Sequence, residues 1–295
     1  MRSFLIKIFI QLIALLPLRI AHGAGILFGR CFYLFPTQLR HNSKINIDLC
    51  WPELNPTQKT LLTKQSLIQA GMTLMEIGAI LCWPKQRLLQ TVRSFDGEEL
   101  LKHSLSKGRG AIVLTPHIGC WEIAGLYISN QYPSTALYKP PKMKALATWL
   151  KAARQRTGAT LVATDKSGAR NLLKALTRKH EIIGMLPDQE PRAGSGVFAP
   201  FFSVKASTMT LAVKLAKKSG APILFCFTER LPRAQGFRLF LVAADDDIYD
   251  TDINSAVAAM NRNIEQIIRK IPEQYQWSYK RFRQRPDGSR NPYAR

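Results

Sequence analysis

Ala111-Ile112-Val113-Leu114-Thr115-Pro116-His117-Ile118-Gly119-Cys120-Trp121-Glu122 is the stretch that decides the fold. Its first residues form a short apolar run behind Gly108-Arg109-Gly110, the pattern of a buried strand. Glu122 to Ser129 reads as a helix. The chain therefore passes from buried strand to helix within a few residues, and Gly119 allows that turn to be tight.

Working outward toward higher numbers, the same alternation continues. Strands are expected at Ser134–Tyr138, Thr160–Val162, Glu181–Leu186, Pro222–Phe227 and Phe237–Val242. Helices are expected at Lys142–Gly158, Ser167–Lys179, Ser207–Ser219 (stopped by Gly220) and Asp252–Ile271, whose acidic start and basic end suit the helix dipole. Toward lower numbers the pattern is helical up to about residue 92. Asn55-Pro56-Thr57 looks like a helix start, and Trp83-Pro84 ends the helix Thr57–Cys82. Strands alternating with helices predict an α/β fold: a mixed, mostly parallel sheet flanked by helices, with a helical N-terminal region. The expected organisation is an anchor over 1–25 and one domain over 26–295.

The chain has 295 residues and a formal charge of +22, with 42 Lys and Arg against 20 Asp and Glu. Its apolar content is that of a foldable globular protein. Such a charge attracts polyanions, either nucleic acid or an anionic membrane. No zinc pattern, RNA-binding aromatic motif or helix-turn-helix supports nucleic acid. The apolar run Phe4–Leu18 supports membrane, although it is shorter than the ~20 residues a spanning helix needs. An interfacial anchor fits it best; a signal peptide and a buried core helix are the other readings. The cysteines, at 31, 50, 82, 120 and 226, are odd in number, widely spaced and without a Cys-x-x-Cys pair. They suggest neither a disulfide framework nor a zinc site, and fit a reducing compartment. No metal and no cofactor are expected, since the five histidines are scattered.

In sheets of this kind chemistry gathers at the carboxyl ends of strands, which is where His117 falls. Across a strand-to-helix turn, a carboxylate at Glu122 can accept from one imidazole nitrogen and leave the other as a base. No Gly-x-Ser-x-Gly elbow supplies a nucleophile. A base without its own nucleophile activates a group on the substrate, and a hydroxyl attacking an acyl thioester fits that arrangement.

The block His117-Ile118-Gly119-Cys120-Trp121-Glu122 resembles the His-x-x-x-x-acid signature of the glycerolipid-type acyltransferases. More narrowly, the chain resembles the late acyltransferases of lipid A biosynthesis along nearly its whole length. The narrower likeness rests on Ala153-Arg154-Gln155-Arg156, on Leu186-Pro187-Asp188-Gln189-Glu190 followed by Gly196–Phe202, and on Pro272–Trp277 followed by Lys280-Arg281-Phe282 and Arg285-Pro286. It departs at Tyr279, near which the family often carries a histidine.

The resemblance implies an acyl chain moved from acyl carrier protein to a hydroxyl of a phosphorylated lipid A precursor. The expected location is the cytoplasmic face of a bacterial inner membrane. His117 would be the base, oriented by Glu122. Arg154, with Arg156 as the weaker candidate, would steady an oxyanion or hold a phosphate. Asp188 would anchor a sugar hydroxyl or an arginine, or else serve as a turn residue. Phe198, Phe201 and Phe202 would wall an acyl groove, or else belong to the core. Acylation of another lysophospholipid or glycolipid, and a non-catalytic basic membrane binder, are the competing functions.

Overall fold

Uninterrupted apolar strands need cover on both faces, and in this protein they have it. A computed structural model describes residues 2–141, 143–192 and 194–294. The expected helix start at Lys142 lies outside these residues. The N-terminal part is helical: α1 (Arg2–Ala14), α2 (Leu18–Leu34), α3 (Gln38–Cys50), α4 (Pro56–Cys82) and α5 (Lys85–Leu89). The α/β part follows with β1 (Val92–Asp96), α6 (Glu98–Ser106), β2 (Ala111–Leu114), α7 (Trp121–Gln131), β3 (Ser134–Tyr138), α8 (Lys144–Gln155), β4 (Thr160–Ala163), α9 (Lys166–Lys179) and β5 (Ile182–Met185). It continues with β6 (Gly196–Phe201), β7 (Val204–Met209), α10 (Leu211–Ser219), β8 (Ile223–Arg230), β9 (Phe237–Ala243) and α11 (Ile253–Lys270).

Seven strands form one sheet in the order β1-β9-β8-β2-β5-β3-β4. All neighbours are parallel except β8 and β9, so the sheet is mixed and mostly parallel, as the sequence implied. Side chains alternate between two cores. Ile112, Leu114, Ile183, Met185, Phe225 and Phe227 face α9, α10 and α11. Ala111, Val113, Ile182, Leu224 and Cys226 face α7, α8 and the end of α4. β6 and β7 form a separate antiparallel hairpin beside α11, where Asn261 donates to the Pro200 carbonyl at 2.7 Å.

The hairpin corrects the expected helix at Ser207. Residues 207–209 belong to β7, and the helix begins only at Leu211. Asn55 caps α4 with a reciprocal bond from Gln58, which explains why that start is sharp in the sequence.

α2 lies against α4 at very close range. A Cβ on Gly71 would sit 2.1 Å from the Gly25 carbonyl oxygen, and one on Gly29 2.3 Å from the Ile68 Cα. α1 is fastened to the end of α4, where the Trp83 indole donates to the Ala14 carbonyl at 2.7 Å. On their outer sides α1 and α2 expose Phe4, Leu5, Phe9, Leu12, Ile20, Leu27, Phe28 and Leu34. α1, with 13 residues, is about 20 Å long and shorter than a hydrocarbon core of ~30 Å. Among the described residues only α4 is long and apolar enough to cross a membrane, but 56% of its most apolar window is already covered by this chain.

Behind the turn at residues 116–120 lies a buried ion pair. Arg230 donates through Nε and Nη2 to the two oxygens of Glu76 at 2.6 and 2.7 Å, and His22 Nε2 lies 2.7 Å from Glu76 Oε1. Burial pushes the Glu76 carboxyl up, but Arg230 and His22 outweigh it and hold the pKa at about 2.

The segment after α11 runs back across the molecule. Asn46 on α3 donates to the carbonyls of Trp277 and Tyr279, each at 2.6 Å, and Arg281 donates to Thr208 Oγ1 at 2.7 Å. The same segment meets the turn after β2. Gly119 N–H donates to the Gln274 carbonyl at 3.0 Å, and Gln276 N–H to the His117 carbonyl at 3.0 Å.

Candidate active site

β2 and β5 are hydrogen-bonded neighbours, with Leu114 opposite Met185, so both chains leave the sheet side by side at its carboxyl edge. One carries His117 and the other Asp188. The turn between them and α7 depends on Gly119, whose φ is +57° and whose Cβ, if present, would lie 2.0 Å from the Thr228 carbonyl oxygen. No L side chain fits there.

His117 and Asp188 are both buried, and they are bonded twice. The His117 backbone N–H donates to Asp188 Oδ2 at 2.9 Å, and ring Nδ1 lies 2.8 Å from Oδ1. The Asp188 carboxylate accepts, so Nδ1 bears hydrogen and Nε2 is left with its lone pair. Burial pushes the Asp188 carboxyl up. The His117 ring, hydrogen bonds from the ring and the backbone, and Arg281 more than offset this and keep it below the usual carboxylate range. Trp121 packs on the imidazole with ring centroids 4.9 Å apart. Nε2 is met by the Gln189 amide nitrogen at 3.1 Å, and that amide also reaches Gln276 Oε1 at 3.3 Å.

Here the expectation for Glu122 needs correction. Glu122, in the first turn of α7, does not bond the imidazole. Its two oxygens accept from Arg154 of α8: Nε donates to Oε2 at 2.9 Å and Nη2 to Oε1. A bidentate guanidinium is the stronger partner for a carboxylate on the helix, while Asp188 on the adjacent strand end is already seated on Nδ1. Arg154 also lies over the Tyr138 ring, 5.4 Å from its centroid. Burial works against its charge, but Glu122 and Tyr138 more than restore it.

Both pairs open onto one cleft of about 470 Å³, running across the α7 and α8 side of the sheet. His117, Glu122, Arg154, Lys139, Gln189 and Gln276 line its polar part. Leu126, Ile128, Val113, Leu161, Ile182 and Leu186 line the rest, and the small residues Gly125, Ala136 and Gly184 leave the space open. A polar mouth carrying an imidazole, leading to an apolar slot, is suited to a polar reaction centre on a long hydrocarbon.

The remaining expected site residues lie elsewhere. Arg156 ends α8 and donates to the Ile80 carbonyl at 2.6 Å, tying α8 to α4 outside the cleft. Phe201 is buried among Phe202, Tyr275 and Phe282; Phe202 packs on Trp51 and Trp277; Phe198 is half-buried on β6. The hairpin that carries them belongs to the core on the α11 side of the sheet, so none of the three walls the cleft. Tyr279, near which the resembled family often carries a histidine, accepts from the Glu190 N–H at 3.1 Å. Gln189 and Gln276 are the site residues that sequence reading missed. Both lie inside blocks already singled out, directly after Asp188 and directly before Trp277. Among the described residues no cluster of three or more His, Cys, Asp or Glu could hold a metal ion.

The family model described as bacterial lipid A biosynthesis acyltransferase matches residues 1–284. The chain is 28% identical over 289 residues to the lipid A biosynthesis lauroyltransferase of Escherichia coli K12, covering 96% of this chain and 91% of that protein. It is 30% identical over 250 residues to the palmitoleoyltransferase of the same strain, covering 84% of this chain and 80% of the relative. A lipid A biosynthesis acyltransferase of Haemophilus influenzae is 27% identical over 272 residues, covering 91% and 84%. With a family match over residues 1–284 and relatives aligned along most of its length, the chain belongs to the bacterial lipid A biosynthesis acyltransferases and is an acyltransferase.

Proposed function

We propose that this acyltransferase moves a fatty acyl chain from an acyl carrier protein thioester to a hydroxyl of a phosphorylated lipid A precursor, with His117 as the general base. The observation that carries the reading is the orientation of one ring: Nδ1 on Asp188, Nε2 toward the cleft. The acceptor hydroxyl takes the place of the Gln189 amide at Nε2 and gives its proton to that nitrogen. Its oxygen attacks the thioester carbonyl. The tetrahedral oxyanion collapses, the carbon–sulfur bond breaks, and the proton passes from His117 to the leaving thiolate.

Asp188 holds the tautomer and faces the imidazolium while the proton is in transit. Glu122 acts one step further away, by aiming Arg154 at the cleft, where its charge faces the developing oxyanion. The acyl chain lies in the slot beyond Gly125, Ala136 and Gly184. The exposed apolar sides of α1 and α2 rest on the membrane as an interfacial anchor of one acyltransferase domain. The net charge of +22 suits both an acidic carrier protein and the anionic cytoplasmic leaflet.

The test is a purified-enzyme assay with acyl carrier protein thioesters and a phosphorylated lipid A precursor, run beside His117→Ala. Transfer by the wild type that vanishes in the variant is the expected result. Transfer to a lysophospholipid alone would move the acceptor and keep the chemistry. Undiminished turnover by His117→Ala would remove the base.

A further inference from the structure

A second cavity, of about 290 Å³, lies between α2, α4 and the turn that follows β8, and it shares no lining residue with the His117 cleft. Arg19, His22, Gly23 and Ile26 line it from α2. These positions, spaced i, i+3, i+4 and i+7, form one stripe of that helix. Arg230 and Arg233 line it from the other side. None of its lining residues is a carboxylate, and Glu76, bonded to two of them, is already engaged by Arg230 and His22. Arg19 and Arg233 are exposed, and their guanidinium groups have no hydrogen-bond or ion-pair partner among the described residues.

The turn that carries Arg233 is held in an unusual shape. Arg233 and the following Ala234 have φ of 54° and 57°, a left-handed conformation that costs free energy for any residue with a Cβ. The basic stripe of α2 also runs directly beside an exposed apolar one, formed by Ile20, Leu27 and Leu34. A cationic pocket bordered by an apolar edge matches the shape of a lipid, with its headgroup anion in the pocket and its chains along the edge.

We propose that this cavity binds the phosphate group of a membrane lipid, held between Arg19 and Arg233 above the Arg230–Glu76 pair. The binding part of the inference stands without the acyl-transfer reading. Only the question of whose phosphate is bound rests on it. Arg230 ends the strand next to the catalytic turn and its backbone N–H donates to Gln274 at 2.8 Å, while Gln274 in turn accepts from Gly119. A phosphate held there is anchored next to the reaction centre and outside it.

The test uses the full chain carrying Arg19→Gln with Arg233→Gln. Its charge-matched control is Lys174→Gln with Arg178→Gln on α9, at the opposite face of the sheet. Binding is measured to vesicles of phosphatidylcholine alone and with phosphatidic acid, and the KM for the phosphorylated acceptor is measured at saturating thioester. The expected result is that the Arg19/Arg233 variant loses about tenfold of the preference for phosphatidic acid, keeps its binding to neutral vesicles, and differs in this from the control. An unchanged vesicle preference with a raised KM and unchanged kcat would assign the phosphate to the acceptor itself. Equal loss in the control, or no change in either measurement, would overturn the site. Arg19→Lys with Arg233→Lys restores much of the preference if charge in the pocket is what matters.

Discussion

At the scale of single residues the site divides its two carboxylates between two jobs. Asp188 sits on the imidazole and Glu122 on the guanidinium. Asp188→Asn removes the acceptor that fixes Nδ1–H, and kcat should fall by about a thousandfold or more while KM changes little. Glu122→Gln leaves the base in place and loosens Arg154, so the loss should be smaller, on the order of tens to a hundredfold. Measuring both variants under saturating donor separates the roles; a larger loss for Glu122→Gln would reverse them. Arg154→Lys should resemble the Glu122 variant, because an ammonium cannot make the paired bonds. The position of His117 was legible, since the apolar run Ala111–Leu114 ends shortly before it and so places it at the carboxyl edge of the sheet. The sequence could not say which acid the ring would meet. Glu122 was near in sequence, whereas Asp188 is near because β5 lies next to β2, and strand order is written nowhere in local pattern.

At the scale of elements, apolar periodicity and capping residues marked most helices and strands. Asn55 with Gln58 and the stop at Gly220 are local devices with local readouts. The hairpin β6–β7 escaped because Val204–Met209 runs into Leu211–Ser219 without a Gly or Pro between them, so a strand and a helix read as one helix. The cleft is lined not by Phe198, Phe201 or Phe202, which sequence reading left open between a groove wall and core, but in part by residues too small to attract notice. Gly125 is the one most open to test, because a Cβ placed there meets no atom within 4 Å. Gly125→Leu should leave the fold intact and project into the cleft. Turnover with long acyl donors should then fall at least tenfold, with short donors less affected, which a donor-length series would show. The α2–α4 crossing has no such room. Gly71→Ala should cost about 1–3 kcal/mol and lower Tm by several degrees, because the neighbouring atoms are backbone.

Across the whole molecule, the buried ion pair sets an acid limit. The Glu76 pKa is depressed in the folded chain, so its contribution to stability is complete above the ordinary carboxylate pKa and is lost as pH falls toward about 2. Asp188 shifts in the same direction and adds to the loss. Stability measured by denaturant should therefore decline steadily below about pH 4.5. In Glu76→Gln the decline should be shallower, from a lower starting value, since Arg230 is then left buried without its counter-charge.

The segment after α11 carries one more consequence. His117 is framed by Gln274 and Gln276, which a ribosome adds long after it has made helices α1 and α2 and most of the sheet. The exposed apolar helices and the completed turn around His117 are thus separated in time during synthesis. A nascent chain has its apolar helices early, yet the turn at His117 is not closed until residues 274–281 have emerged and folded back against it. Polypeptides cut or stalled upstream of Gln274 would carry the apolar helices without the bonds that close the turn at His117, and should transfer no acyl chain.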